Sequence, residues 1–247
     1  MRHFIFIINF FICGLIIAQE SPTKDFYKEI QKYNVSDLWT VRRVQVEDDT
    51  TLTNLLDPIG FIGFDFQRFY IHFSSAIQNP NNNYEYLVYG QTRVKTNVCT
   101  FQGHLLIKES RLYLESDIPN LKQGFVIGDY ELFEDSDKKG AGILKGKFRS
   151  DFYITNDGKI KYDAISFTAD GYENNQFKGT WTDYKTGTEK VCNWGDFRIP
   201  DSKGLDDGAG QFHPSEKYVN NGWKNYSIED NHPASVAETH KWWQIDN

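Results

Sequence analysis

Methionine is almost missing from this 247-residue chain: one copy, the initiator, against nineteen Phe, fourteen Tyr and six Trp. Without flexible thioethers to fill gaps, a core of this composition relies on rigid rings, which suit strands better than a plastic helical bundle. Cysteine is scarce as well, three in all, and no CxxC occurs. Neither a redox dithiol motif nor a cysteine zinc site is therefore available. HExxH and GxSxG are absent too, which removes the commonest metalloprotease and serine-hydrolase readings. Basic charge is also short, with 27 Lys and Arg against 34 Asp and Glu and a formal net charge of -7. Such a balance is a poor match for phosphate backbones or anionic membranes, so nucleic acid is not expected as a partner.

One apolar run stands out. Residues 4–18 are apolar apart from Asn9, follow Arg2 and His3, and precede the polar Gln19, Glu20 and Ser21. This is the charged, apolar, small order of a secretory signal peptide over residues 1–18, with Ala18 the last residue removed. At ~1.5 Å per residue the run reaches roughly 22 Å, short of the ~30 Å hydrocarbon core that a spanning helix must cross. Cleavage is expected, and Cys13 leaves with the leader. The mature chain is expected to be secreted or periplasmic, with no stable membrane insertion. In an oxidising compartment the remaining pair, Cys99 and Cys192, is expected to form a disulfide, two buried free thiols being the alternative.

The patterning past the leader gives the architecture. An N-terminal helix is expected in residues 19–36: Ser21 caps it, Pro22 suits its first position, and Phe26, Ile30 and Tyr33 share a face. From Asp37 the period changes to two. Strand-like runs cover 38–46, then, after a loose segment at 48–63, residues 66–74, 84–96, 98–108, 111–116, 125–134, 143–155, 159–168, 176–184 and 189–197. Asn156-Asp157-Gly158 has the chemistry of a tight hairpin turn, and Thr186-Gly187 and Asp137–Gly140 read as further turns. About ten strands joined by hairpins predict an all-β antiparallel meander that hides its edges by closing into a β-barrel over 37–199, a β-sandwich being the alternative. Gly103, Gly146 and Gly179 suit the close approaches of a curled sheet. After Pro200 the alternation stops. Residues 200–247 are expected to form an irregular C-terminal tail that packs on the barrel through Phe212, Trp223, Trp242 and Trp243.

A short helix followed by Leu38-Trp39-Thr40-Val41 and a hairpin meander is similar to the opening of lipocalin-like and avidin-like β-barrels. Asp37 stands where those families place a Gly, and the Gly-x-Trp triplet itself occurs late, as Gly179-Thr180-Trp181. The resemblance implies a cup holding a small ligand, with Trp39 closing its base.

No catalytic constellation competes strongly. His72 and His104 fall within strands and read as satisfied barrel histidines; no metal ligands and no cofactor are assigned. Asp129, Glu131 and Asp135 supply the carboxylates that a glycan-active hydrolase needs, with Asp129 and Glu131 on one strand face. Asp201, Asp206 and Asp207 lack regular calcium-loop spacing. Arg42, Arg43, Arg68 and Arg93 all lie in strand-like runs, and any that points inward requires an anionic partner. The function expected is an exported, non-catalytic binding protein that holds a small apolar or amphipathic ligand against Trp39, Phe101 and Trp181. A carbohydrate-binding module using Tyr84, Tyr86, Tyr89 and Trp194 is the alternative, and the hydrolase comes after it. N-terminal sequencing of the protein from its producing cell is expected to start at Gln19; a chain still starting at Met1 contradicts the leader assignment.

Overall fold

The computed structural model describes residues 21–45, 52–116, 121–224, 226 and 241–243; the leader, the residues after Tyr226 up to 240 and the final four lie outside this description. Twelve strands are described: β1 (Thr23–Asp25), β2 (Arg43–Gln45), β3 (Leu52–Asn54), β4 (Ile59–Ile62), β5 (Gln67–Asn79), β6 (Asn82–Val94), β7 (Asn97–Tyr113), β8 (Lys122–Glu134), β9 (Gly142–Ile154), β10 (Ile160–Tyr162), β11 (Asn174–Asp183) and β12 (Glu189–Asp196). Helices are few: α1 (Tyr27–Ile30), α2 (Asp37–Thr40) and a 3-10 turn at Glu216–Asn221. The protein is all-β and antiparallel, as its alternation predicts.

Pairing runs β4–β5–β6–β7–β8–β9–β11–β12 and returns from β12 to β4, so eight strands form a ring. β1 adds to β7 on the outside of this path, β10 adds to β9, and β2 and β3 form a separate two-stranded hairpin. Side chains alternate across the ring wall. On β8, Tyr130 and Leu132 are buried, whereas Asp129 and Glu131 meet Lys147 and Lys145 of β9 at 3.3 Å each. The pair proposed for hydrolysis thus sits in outward cross-strand ion pairs.

Rings fill the interior. Phe177 stacks on Trp194 (centroids 4.9 Å apart, 14° between planes) and on Phe148 (5.4 Å, 23°), while Tyr130 and Phe69 meet Trp194 at 5.1 and 5.7 Å. Such offset and edge contacts add to the burial of large apolar area. Glycines make room for them. Gly146 and Gly179 are register partners on β9 and β11, and a Cβ on Gly179 would overlap the Lys145 carbonyl and the Tyr130 hydroxyl.

Five expectations are corrected. The helix expected in residues 19–36 is a single turn, α1, preceded by β1, because Thr23–Asp25 finds a ladder on Tyr113–Arg111. The strand expected at 38–46 is α2 followed by β2; burial of Leu38 and Trp39 over one end of the ring outweighs the alternating pattern. Part of the loose segment is β4, a strand hidden by its two glycine-flanked, continuously apolar residues. Cys99 and Cys192 are buried free thiols rather than a disulfide. β7 and β12 lie four pairings apart whichever way the ring is followed, so the two cysteines stand on strands that are not neighbours. The runs 98–108 and 111–116 are one strand, β7, with a register shift between Ile107 and Glu109.

Residues 200–224 and Tyr226 pack on the outer face of the β4–β5 wall, where Phe212 and Trp223 join Ile59, Phe61, Ile199 and Leu205 in a second apolar cluster. Trp223 Nε1 donates to the Phe66 carbonyl (2.8 Å). Gly179→Ala is expected to lower unfolding free energy by about 1–3 kcal/mol through overpacking; chemical denaturation measures it, and unchanged stability contradicts the close β9–β11 approach.

Candidate functional site

One end of the ring is plugged by the segment carrying α2. Its path is fixed locally: Asn34 Oδ1 accepts from the Ser36 amide (2.9 Å), the Tyr86 hydroxyl accepts from the Val35 amide (3.0 Å), and Thr40 Oγ1 donates to the Ser36 carbonyl (3.1 Å). This presents Trp39 inward, 3% exposed, edge-on to Tyr86 at 5.0 Å and Phe148 at 5.7 Å.

Beneath Trp39 lies a buried polar network. Trp39 Nε1 donates to Ser150 Oγ (2.9 Å), and Ser150 Oγ donates to Asn175 Oδ1 (2.7 Å). Asn175 Nδ2 donates to the Leu38 carbonyl (2.8 Å) and to Asp196 Oδ2 (2.7 Å), and the Tyr162 hydroxyl also donates to Asp196 Oδ2 (3.0 Å). Asn175 therefore ties the plug, through Leu38 and Ser150, to the carboxylate at the end of β12. The backbone there is unusual. Asn175 (φ 47°) and Phe197 (φ 63°), flanking this carboxylate in register and in sequence, both occupy the left-handed region, an arrangement that Asn tolerates and Phe rarely adopts.

A cavity of about 10 Å³ opens between plug and ring, lined by Leu38, Trp39, Val41, Arg42, Leu55, Pro58, Phe73, Asn175, Phe177 and Asp196. That is room for about one water molecule. Asp196, 4% exposed, is the carboxylate on its wall. Burial pushes the Asp196 carboxyl up to about 7, against the donors from Asn175 and Tyr162 and the Arg42 charge, with Asp57 adding to the rise. At the rim, Arg42 Nη2 donates to the Phe73 carbonyl (2.9 Å) and lies 3.7 Å from Asp57 Oδ1, which also accepts from His72 Nδ1 at 2.8 Å. Trp243 of the tail stacks on His72 (3.9 Å, 11°), and Trp242 meets Tyr70 at 5.9 Å. The tail aromatics thus dock on the outer wall and beside the mouth.

Of the three rings expected to line a ligand, Trp39 alone borders this cavity. Phe101 (1% exposed) packs edge-on to Phe73 at 5.5 Å, and Trp181 (8%) donates its indole N–H to Glu134 (2.9 Å) near the far end. Burial raises the Glu134 carboxyl, and its charge is felt by both Cys99 and Cys192, whose thiols burial pushes up. Among the four aromatics considered for sugar stacking, Tyr86 and Trp194 are buried, Tyr84 stacks on Tyr27 at 4.4 Å, and Tyr89 is exposed. Arg68, on the outer wall, lies over Trp223 (4.4 Å) and Tyr70 (4.7 Å), while Arg93 lies 3.9 Å from Tyr70. Asp206 pairs with Arg198 at 2.7 Å, and among the described residues no three His, Cys, Asp or Glu converge as metal ligands. Asn175 and Asp196 carried no sequence motif; the one available signal was a run of polar residues, Asn174 to Gln176, at the start of a strand.

Asp196 gives the fold a pH dependence. In the unfolded chain it titrates near 3.8 and in the native state near 7. Between these values the native state holds a proton that the unfolded chain has lost, so stability falls as pH rises through the window. Denaturation across this window is expected to show a flatter pH profile for Asp196→Asn than for the parent protein; parallel profiles contradict the buried acid. No family model, curated protein or solved structure matches this chain.

Proposed function

We propose that the chain is an exported, non-catalytic binding protein that holds a small ligand at the plugged mouth of its ring. The observation that carries this reading is the cavity between α2 and the ring, where a buried carboxylate, an amide and aromatic faces converge on strained backbone. Apolar walls with a few placed polar groups are the usual composition of small-molecule sites. The stacked interior leaves the ring itself occupied by Phe177, Trp194, Phe148 and Tyr130, so a ligand is accommodated by movement of the plug.

The plug suits that role. β2 and β3 pair with each other rather than with the ring, and an isolated two-stranded hairpin is marginally stable by itself. Its anchoring rests on contacts such as those of Arg42 with Phe73 and Asp57 and of Asn175 with Leu38. Elements that open for ligands are drawn from the least stable parts of a fold. In this reading Trp39 is the ligand-facing ring of the three expected from sequence, and Phe101 and Trp181 support the core.

Native mass spectrometry of the mature protein, purified gently from its producing cell, is expected to show an extra mass that is lost on denaturation. A clean unliganded mass overturns the carrier reading.

A further inference from the structure

The charge inventory of the mouth is uneven. Arg42 faces Asp57, and His72 bonds the same Asp57 oxygen. Among the described residues no Lys, Arg or His comes within ion-pair distance of Asp196. Both donors to Asp196, from Asn175 and Tyr162, fall on Oδ2. A carboxylate this buried ordinarily carries a cation or gives up its charge. It lines a cavity of about 10 Å³ whose other walls include Trp39, Phe73, Phe177 and, turned to Asp57 and the Phe73 carbonyl, Arg42.

We propose that this cavity seats the primary ammonium group of a small amine, paired with Asp196 and bordered by Trp39, Phe73 and Phe177. The inference rests on the mouth being the ligand site and names the chemistry of what enters. Size supports it, because an –NH3+ head fills about the space of one water. So does valence, since an ammonium brings donors and a positive charge to an acceptor. An anion would meet Asp196, and a neutral hydroxyl would bring no positive charge beyond that of Arg42, which lies outside ion-pair distance. The apolar remainder of the amine is accommodated by displacing Leu55 and Pro58, both buried in the cavity wall. On binding, Asp196 gives its proton to solvent and the carboxylate takes the ammonium in its place. The groups facing this exchange are Arg42, Asp57 and His72 at the rim, Tyr162 on the carboxylate itself, and Tyr172 behind it.

The test titrates the mature protein with butylamine, butanol and butyrate while following the Trp39 indole N–H by NMR, its signal assigned by loss in Trp39→Phe. Butylamine is expected to saturate about tenfold or more tightly than butanol, and Asp196→Asn to bring it down to the level of butanol. Calorimetry of the unaltered protein in buffers of different ionisation enthalpy is expected to show proton release with the amine near neutrality and none with the alcohol, a readout that stands even if Asp196→Asn fails to fold. Butanol or butyrate binding as tightly as butylamine, with Trp39 shifting, overturns the ammonium assignment and leaves the mouth as a ligand site. Trp39 unmoved by all three overturns it as well, and the mass of the protein from its producing cell then decides the mouth reading separately. Amine binding without proton release near neutrality also overturns it.

Discussion

Closure of the ring at the β4–β12 seam is the constraint on which the remaining structure depends. Ile59–Ile62 pairs with Gly195 to Cys192 on one side and with Tyr70 to Gln67 on the other, so four residues join two longer neighbours. An open edge there would expose unpaired N–H and C=O groups. The seam is buried on both faces. Inside, Gly60 admits Trp194, whose Cβ lies 2.8 Å from where a Gly60 Cβ would stand. Outside, Ile59 and Phe61 are covered by Phe212 and Trp223 of the tail. Tail and ring are one folding problem rather than a domain with an appendage.

A ring of eight strands is just wide enough for side chains to fill, and here aromatic residues fill it. The stack through Phe148, Phe177 and Trp194 leaves the polar chemistry to the two ends. At the far end Glu134 is bonded by Thr92, Trp181 and the Gly142 amide, a satisfied arrangement that links β6, β8, β9 and β11. At the mouth the network reaches the cavity with a carboxylate that, among the described residues, has donors on one oxygen and no cation within ion-pair distance. The difference between the two ends is what directs the functional reading to the mouth.

The period-two runs made most of the fold legible. Nearly every long strand lies where alternation places it, and the Asn156-Asp157-Gly158 turn joins β9 to β10 with Gly158 at φ 79°. Where alternation misled, packing decided. Residues 38–41 alternate like a strand, but Leu38 and Trp39 gain more by capping an open ring end than by joining a ladder. β4 reads as a loop because a strand buried on both faces is uniformly apolar and short, and because its glycine is there to admit a tryptophan. The free thiols follow from topology: sequence separation says nothing about whether two strands neighbour each other in a ring. The site was hardest to see. Trp39 was visible as an inward aromatic, but Asp196 and Asn175 meet through a bulge in β11, and no spacing rule announces a bulge.

Strain and desolvation concentrate at that bulge. Asn175 holds left-handed backbone in order to bond Leu38, Ser150 and Asp196 at once, and Asp196 is kept from water with its carboxyl raised to about 7. Both are costs to folding that a purely structural plug of apolar residues would avoid. The most direct measurement of the central claim is a crystal structure of the mature protein purified from its producing cell. The account predicts ligand density reaching Asp196 beside Trp39, with α2 and residues 55–58 displaced outward. A seated plug with nothing larger than an ordered water against Asp196 contradicts it.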